Sequence, residues 1–268
     1  MRKNRLMTVV LIMFFAGILA SMFILRNAGT IALASPSEND WPMFRHDPAH
    51  TGYSDTTAPD TNRTIWTYKT NAEVFSSPAV ADGKVYFGSA DGNVYCLYAS
   101  NGTGIWNYTT AAGIWCSPAV ADGKVYIGSD DSHVYCLNAS TGIHIWNYTT
   151  DNSVESSPAV VDGKVYIGSF DGYIYCLNAS DGNQIWRYWD SNWVFSSPAV
   201  VDDRVYVAST TGYPAWARTY CLNASTGVSI WSVTSYTDIW SSPAVAGDKV
   251  YIGGNQVYCL NASDGTII

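Results

Sequence analysis

Ser76-Ser77-Pro78-Ala79-Val80, Asp82-Gly83-Lys84-Val85-Tyr86-Phe87-Gly88-Ser89, Asp91-Gly92-Asn93-Val94-Tyr95-Cys96-Leu97 and Asn101-Gly102-Thr103-Gly104-Ile105-Trp106 follow one another in a single stretch of this chain. The stretch then recurs. Pro78, Pro118, Pro158, Pro198 and Pro243 are spaced 40, 40, 40 and 45 residues apart, and so are Trp66, Trp106, Trp146, Trp186 and Trp231. A fixed period of this length marks an array of supersecondary units, each burying its apolar face on its neighbours.

In the period that ends at Trp186, Lys164-Val165-Tyr166-Ile167 and Tyr173-Ile174-Tyr175-Cys176-Leu177 are β-branched and aromatic and read as strands. Asp162-Gly163 and Asp171-Gly172 precede them. Asp-Gly suits hairpin turns because glycine accepts φ > 0. Asn178-Ala179-Ser180-Asp181-Gly182 is a third turn and leads into Gln184-Ile185-Trp186-Arg187-Tyr188. Ser157-Pro158-Ala159-Val160 supplies the remaining strand, with proline near its start, where a missing N–H is tolerated. No stretch after residue 35 shows helical periodicity of useful length. The predicted fold is all-β: a β-propeller of four-stranded antiparallel blades, with about five blades present.

Cys136-Leu137-Asn138-Ala139-Ser140-Thr141-Gly142, followed by Trp146, resembles the pyrroloquinoline-quinone-type (PQQ-like) propeller repeat, whose pattern is Ala-x-Asp-x-x-Thr-Gly-x-x-x-Trp. The resemblance covers residues 62–268 and recurs in every period. The family includes an extracytoplasmic propeller lipoprotein of outer-membrane assembly and the quinoprotein dehydrogenases. By that resemblance Trp66, Trp106, Trp146, Trp186 and Trp231 dock each blade on its neighbour, and Thr141-Gly142 and Thr226-Gly227 are the best-matched turns. The chain departs from the pattern in carrying Cys96, Cys136, Cys176, Cys221 and Cys259 in place of the small alanine. It also carries Asn138, Asn178, Asn223, Asn261 and Tyr98 in place of the aspartate. The resemblance further implies a propeller of usually about seven or eight blades, of which these would be a part. The alternative is a five-bladed ring in which residues 64–68 complete the last blade. The ending in mid-strand favours the first.

Three regions follow. Residues 1–34 open with Arg2, Lys3 and Arg5 and an apolar run over 6–25, and read as a signal peptide or an N-terminal membrane anchor. Either form places the remainder outside the cytoplasm. Residues 35–61 are a polar lead-in strap, and residues 62–268 hold the repeats. Without Arg2, Lys3, Arg5 and Arg26, the 14 basic residues become 10 against 22 acidic ones, a net charge of −12. An acidic chain without basic stripes argues against nucleic acid, and leaves membrane contact to the N-terminal segment alone.

Six cysteines in a secreted chain invite a disulfide framework. Five of them occupy one equivalent position per blade, which sets them beyond the ~4.4–6.8 Å Cα separation that a bridge requires. They read as small buried residues; Cys116 stands where other repeats have Ser76, Ser156, Ser196 and Ser241. His46, Asp47 and His50 are a weak metal pattern, and the strap reads instead as packing through Trp41 and Phe44, with no metal. No nucleophile, zinc or phosphate-binding motif is recognisable, so no catalytic residue is assigned. Several asparagines lie in Asn-x-Ser/Thr sequons, and Asn107 and Asn147, on the expected outer edge strand, are the best glycan candidates.

Framework positions copy between repeats, whereas ligand-facing positions diverge. Just before the serine pair stand Phe75, Trp115, Glu155, Phe195 and Trp240, and further back lie Glu73, Trp193 and Asp238. These are the candidate lining of the channel mouth, suited to a planar or sugar-like ligand or a peptide. The fourth period replaces a tight turn with residues 210–219, where Tyr213, Trp216 and Arg218 are candidates for a partner-binding loop. Two functions are expected. The first is a non-enzymatic scaffold that binds a protein or carbohydrate at the cell surface without a cofactor. The second, which the resemblance implies, is an alcohol dehydrogenase using PQQ and calcium. For that reaction Trp115 or Trp240 would stack the quinone and Glu155 or Asp238 would ligate calcium, yet the adjacent cysteine pair of those enzymes is missing.

Overall fold

The computed structural model describes residues 40–54, 56, 62–211, 216–235 and 237–268. The expected N-terminal signal or anchor and Tyr213 lie outside the described residues. No helix among the described residues is long and apolar enough to cross a membrane.

The first blade consists of β1 (Ala79–Ala81), β2 (Lys84–Gly88), β3 (Asn93–Tyr98) and β4 (Gly104–Thr109), hydrogen-bonded in that order. The second is β5 (Ala119–Ala121), β6 (Lys124–Ser129), β7 (His133–Asn138) and β8 (His144–Thr149). The third is β9 (Ala159–Val161), β10 (Lys164–Gly168), β11 (Tyr173–Asn178) and β12 (Gln184–Trp189). The fourth is β13 (Ala199–Val201), β14 (Arg204–Thr210), β15 (Ala217–Asn223) and β16 (Ser229–Ser235). The last sheet is three-stranded: β17 (Ala244–Ala246), β18 (Lys249–Gly253) and β19 (Val257–Asn261). Every pairing is antiparallel, and the innermost strands pack in sequence, β1 on β5, β5 on β9, β9 on β13 and β13 on β17.

The two Asp-Gly turns of a blade are built differently. Asp82 and Gly83 both take positive φ (50° and 69°), the primed turn whose twist matches the strands. At Asp91-Gly92 only the glycine does, and the Asp91 carboxylate closes the turn by accepting the Asn93 N–H at 3.0 Å.

Blades are joined by a repeated bond pattern. Trp146 Nε1 and Tyr126 OH both donate to the Ala179 carbonyl of the next blade, at 3.2 and 3.0 Å. Trp106 and Tyr86 do the same at Ala139, Trp186 and Tyr166 at Ala224, and Trp231 and Tyr206 at Ala262. The turn glycine admits the indole: a Cβ on Gly182 would lie 2.7 Å from the Trp146 ring, and its φ is +75°. Nearer the axis, a serine ladder runs around the hub. The N–H groups of Ser77, Ser117, Ser157 and Ser197 each donate to the hydroxyl of the equivalent serine one blade on, at 2.9–3.0 Å. The cysteines are free, and burial pushes the Cys116 thiol up to about 12.

Residues 64–68, expected to form a terminal strand, form none. Trp66 lies on the first blade, with Nε1 on the Ala99 carbonyl at 2.8 Å. The fourth-strand place of the last blade is begun by Ile267, which bridges Leu260. The five-bladed closure through residues 64–68 is therefore not the arrangement found.

One interblade contact is underfilled. Tyr68, Tyr108, Tyr148 and Tyr188, two residues after the docking tryptophan, meet Tyr95, Tyr135, Tyr175 and Tyr220 with ring centroids 5.2–5.6 Å apart. After Trp231 that position is Val233, and a cavity of about 210 Å³ opens between Val233, Tyr258, Ile239 and Ile252. Val233→Tyr is expected to fill it and raise stability by about 1 kcal/mol, seen as a melting temperature about 2 °C or more higher.

Candidate functional site

The strap enters the central channel. Trp41 exchanges both backbone hydrogen bonds with Val80 of β1 at 2.7 Å, and the Val120 N–H of β5 donates to the Pro42 carbonyl at 2.7 Å. Further along, the Val200 and Val245 N–H groups donate to the Pro48 and Ala49 carbonyls at 2.7 and 2.9 Å. The inner edge of a blade presents unpaired N–H groups to the channel, and the strap satisfies them on four of the five blades. Met43 is buried in the core cluster that contains Val160, on the remaining blade. His50 is buried against the last blade, with Nδ1 3.0 Å from the Pro243 carbonyl. A carbonyl only accepts, so the proton sits on Nδ1. Burial is the largest cause lowering the His50 pKa to about 4, opposed by that bond; Arg45 lowers it and Asp47 raises it. His50 is thus held by packing and by that bond, and no group of three metal-ligating side chains comes together among the described residues.

The opposite end of the channel is lined by the divergent positions. Phe75 and Trp115, from adjacent blades, stack with centroids 4.4 Å apart at 18°. Phe195 and Trp240 approach at 4.8 Å, and Phe170 bridges Trp193 and Phe195 at 5.8 and 6.2 Å. These rings are not core: Phe75 is 57% exposed, Trp115 40%, Trp193 46% and Trp240 61%. Exposed aromatics gathered at one place mark an interaction surface.

Between the two aromatic groups lie Asp130 and Glu155. Asp130 accepts the Trp115 Nε1–H at 2.7 Å through Oδ2, while its Oδ1 is buried without a partner. Burial is the largest cause raising both carboxyls above the usual carboxylate range; at Asp130 the Trp115 bond opposes it and the charge of Asp131 adds to it, and at Glu155 the charge of Asp130 adds to it. Asp238 accepts from Thr210 Oγ1 at 2.7 Å, and Trp193 exchanges backbone bonds with Thr210 at 3.0 Å. The long fourth-blade loop therefore springs from the mouth itself. Of its candidates, Arg218 is engaged by the structure, 3.5 Å from the buried Asp190 and over the Trp216 ring at 5.1 Å. That pairing replaces the turn aspartate lost from this blade: Asp91, Asp131 and Asp171 accept the hydroxyls of Tyr95, Tyr135 and Tyr175 elsewhere.

Asp130 and Phe170 belong to the mouth and are missing from the sequence-derived candidates. The signal was present. The residue after the repeated serine is Ala90, Asp130, Phe170 and Thr210, and Asn255 in the last repeat, where Gly254 takes the serine's place, as divergent as the set chosen. Asn107 and Asn147 are exposed on β4 and β8.

A family model described as outer membrane protein assembly factor BamB matches residues 50–115, 110–213 and 215–268. The chain belongs to this PQQ-type repeat family. BamB from Moraxella catarrhalis is similar in structure, with a TM-score of 0.54 at 20% identity over 76% of each chain. A europium-containing methanol dehydrogenase gives 0.74 at 17% identity, over 86% of this chain and 57% of that one. A quinohemoprotein alcohol dehydrogenase from Pseudomonas putida gives 0.69 at 18% identity, over 86% and 47%. The chain thus spans about half the length of these dehydrogenases, and the likeness concerns the fold. No curated protein matches it in sequence.

Quinone chemistry can be tested against the mouth. The donors do not make a calcium site: Asp238 is bonded to Thr210, and Glu155 has only Asp130 as a charged neighbour. The tryptophans named for stacking already have ring partners, Phe75 on Trp115 and Phe195 on Trp240. Trp115, Trp240, Glu155 and Asp238 are therefore not brought together as one stacking and calcium-ligating set.

Proposed function

We propose that this chain is a non-enzymatic, extracytoplasmic propeller scaffold that holds a partner protein at its channel mouth. The observation that carries this reading is the shape of the channel. One end is stopped by a hydrogen-bonded strap, and the other opens on exposed aromatic rings from neighbouring blades. Such a dead-ended cup binds without needing to pass or transform anything. Membership in the assembly-factor family supports a protein as the partner; a carbohydrate is the other ligand that stacked rings would suit. The charged, apolar start of the chain supports placement outside the cytoplasm, where Asn107 and Asn147 are the accessible glycan acceptors.

The dehydrogenase reading makes the opposite demand. Purified protein supplied with PQQ and calcium is expected to retain no quinone after gel filtration and to reduce no dye with alcohols. Stoichiometric retention, or dye reduction that depends on quinone and calcium, would overturn the scaffold reading.

A further inference from the structure

We propose that the mouth takes a basic segment of a partner protein, with an arginine or lysine side chain entering beside the Phe75–Trp115 stack and against Asp130 and Glu155. This rests on the binding reading above and names the chemistry of its ligand.

The first support is the way charge is divided between the two ends of the propeller. Each second strand begins at the end away from the mouth with a base, Lys84, Lys124, Lys164, Arg204 and Lys249, which offsets the turn aspartates there, such as Asp82, Asp122, Asp162, Asp202 and Asp248. Among the described connections at the mouth end the one base is Lys69, ahead of the first blade. They hold acids in every blade. Asp91, Asp131 and Asp171 are engaged by tyrosine hydroxyls, and Asp190 by Arg218. Glu73, Asp130, Glu155 and Asp238 remain with no basic partner. A concave surface of one sign with low-dielectric walls concentrates ligands of the other sign.

The second support is the pairing of those acids with rings. Asp130 is held against Trp115 by the 2.7 Å bond, so a cation drawn to the carboxylates also meets the indole and the Phe75 ring stacked on it. Guanidinium and ammonium groups bind aromatic faces, and gain most where water is partly excluded. Asp130 and Glu155 repel each other in a half-buried site, and a cation relieves that repulsion while supplying hydrogen-bond donors. A neutral sugar would stack on the rings but leave the repulsion in place.

The test uses the whole chain and the tripeptides Gly-Arg-Gly and Gly-citrulline-Gly, which differ in charge and little in shape, followed by tryptophan fluorescence at low salt. The arginine peptide is expected to give a saturable change and to bind about tenfold or more tightly than its citrulline counterpart. Glu155→Gln and Asp130→Asn should each weaken arginine binding several-fold without moving the melting temperature. Asp202→Asn, at the other end of the channel, should leave binding unchanged. Equal binding of the two peptides overturns the cation assignment while leaving the scaffold reading in place. No saturable response to either peptide overturns the mouth as the site. Weakening by Asp202→Asn as large as that by Glu155→Gln shows diffuse attraction to an acidic protein, and overturns the assignment as well.

Discussion

Trp146→Ala is expected to cost about 3–5 kcal/mol, because it empties a buried interblade position and leaves Gly182, shaped for the indole, facing a void. In an array of repeats, stability is the sum of unit terms and interfaces between neighbours. The loss therefore falls on the junction between the second and third blades, and unfolding should lose cooperativity there. In urea, the circular dichroism transition is expected to move to a lower midpoint with a shallower slope. Trp146→Phe keeps most of the buried ring but not the bond to the Ala179 carbonyl, which retains Tyr126. Its loss should be about 1–2 kcal/mol. Trp66 rests on the first blade alone and is only half-buried, so Trp66→Ala should cost less than Trp146→Ala. Equal losses from the two would sink this account of the docking residues.

The second large effect is on pH. The pKa of His50 falls from its ordinary 6.5 to about 4 in the folded chain, burial being the main cause. Above pH 6.5 the imidazole is neutral in both states and contributes no pH dependence. Between pH 6.5 and about 4 the unfolded chain binds the proton and the folded chain does not, so stability falls as pH falls, and the full penalty is reached below about 4. The shift corresponds to about 3 kcal/mol. His50→Gln keeps a donor for the Pro243 carbonyl and removes the titration. Carboxylates titrate in the same range, so the informative quantity is the difference between the two proteins' stability profiles. That difference should grow between pH 6.5 and 4 and be flat above 7. A parallel pair of curves over the whole range would mean that His50 is not held neutral in the channel.

Both predictions concern residues whose roles differ in how far they were readable. Trp146 was legible as a docking residue because the same tryptophan, turn glycine and alanine return in each period. A position copied through an array has the same surroundings each time, so one repeat explains the others. The strap offers no second copy. Nothing in Trp41-Pro42-Met43-Phe44-Arg45-His46 says that its carbonyls meet valine N–H groups of blades far apart in sequence. That follows only once the blades are arranged around an axis with their inner edges unpaired. The mouth lies between these cases. Divergence among copied positions located Phe75, Trp115, Glu155, Phe195 and Trp240, but Asp130 and Phe170 lie on a different strand end and join them only by the way the blades close upon one another.

The 40-residue period, the Asp-Gly turns and the alternation of apolar residues determined the blade, its antiparallel order and the number of units by themselves, because these depend on contacts within one repeat or between identical neighbours. The tertiary structure alone decided which end of the channel is stopped, which acids are spent on structure and which are left to face a ligand. It also decided that residues 64–68 lie on the first blade and leave the last one to Ile267. The physical reason is the same in each case: these outcomes depend on backbone groups and charges from several blades meeting at one axis, and that meeting has no period to read.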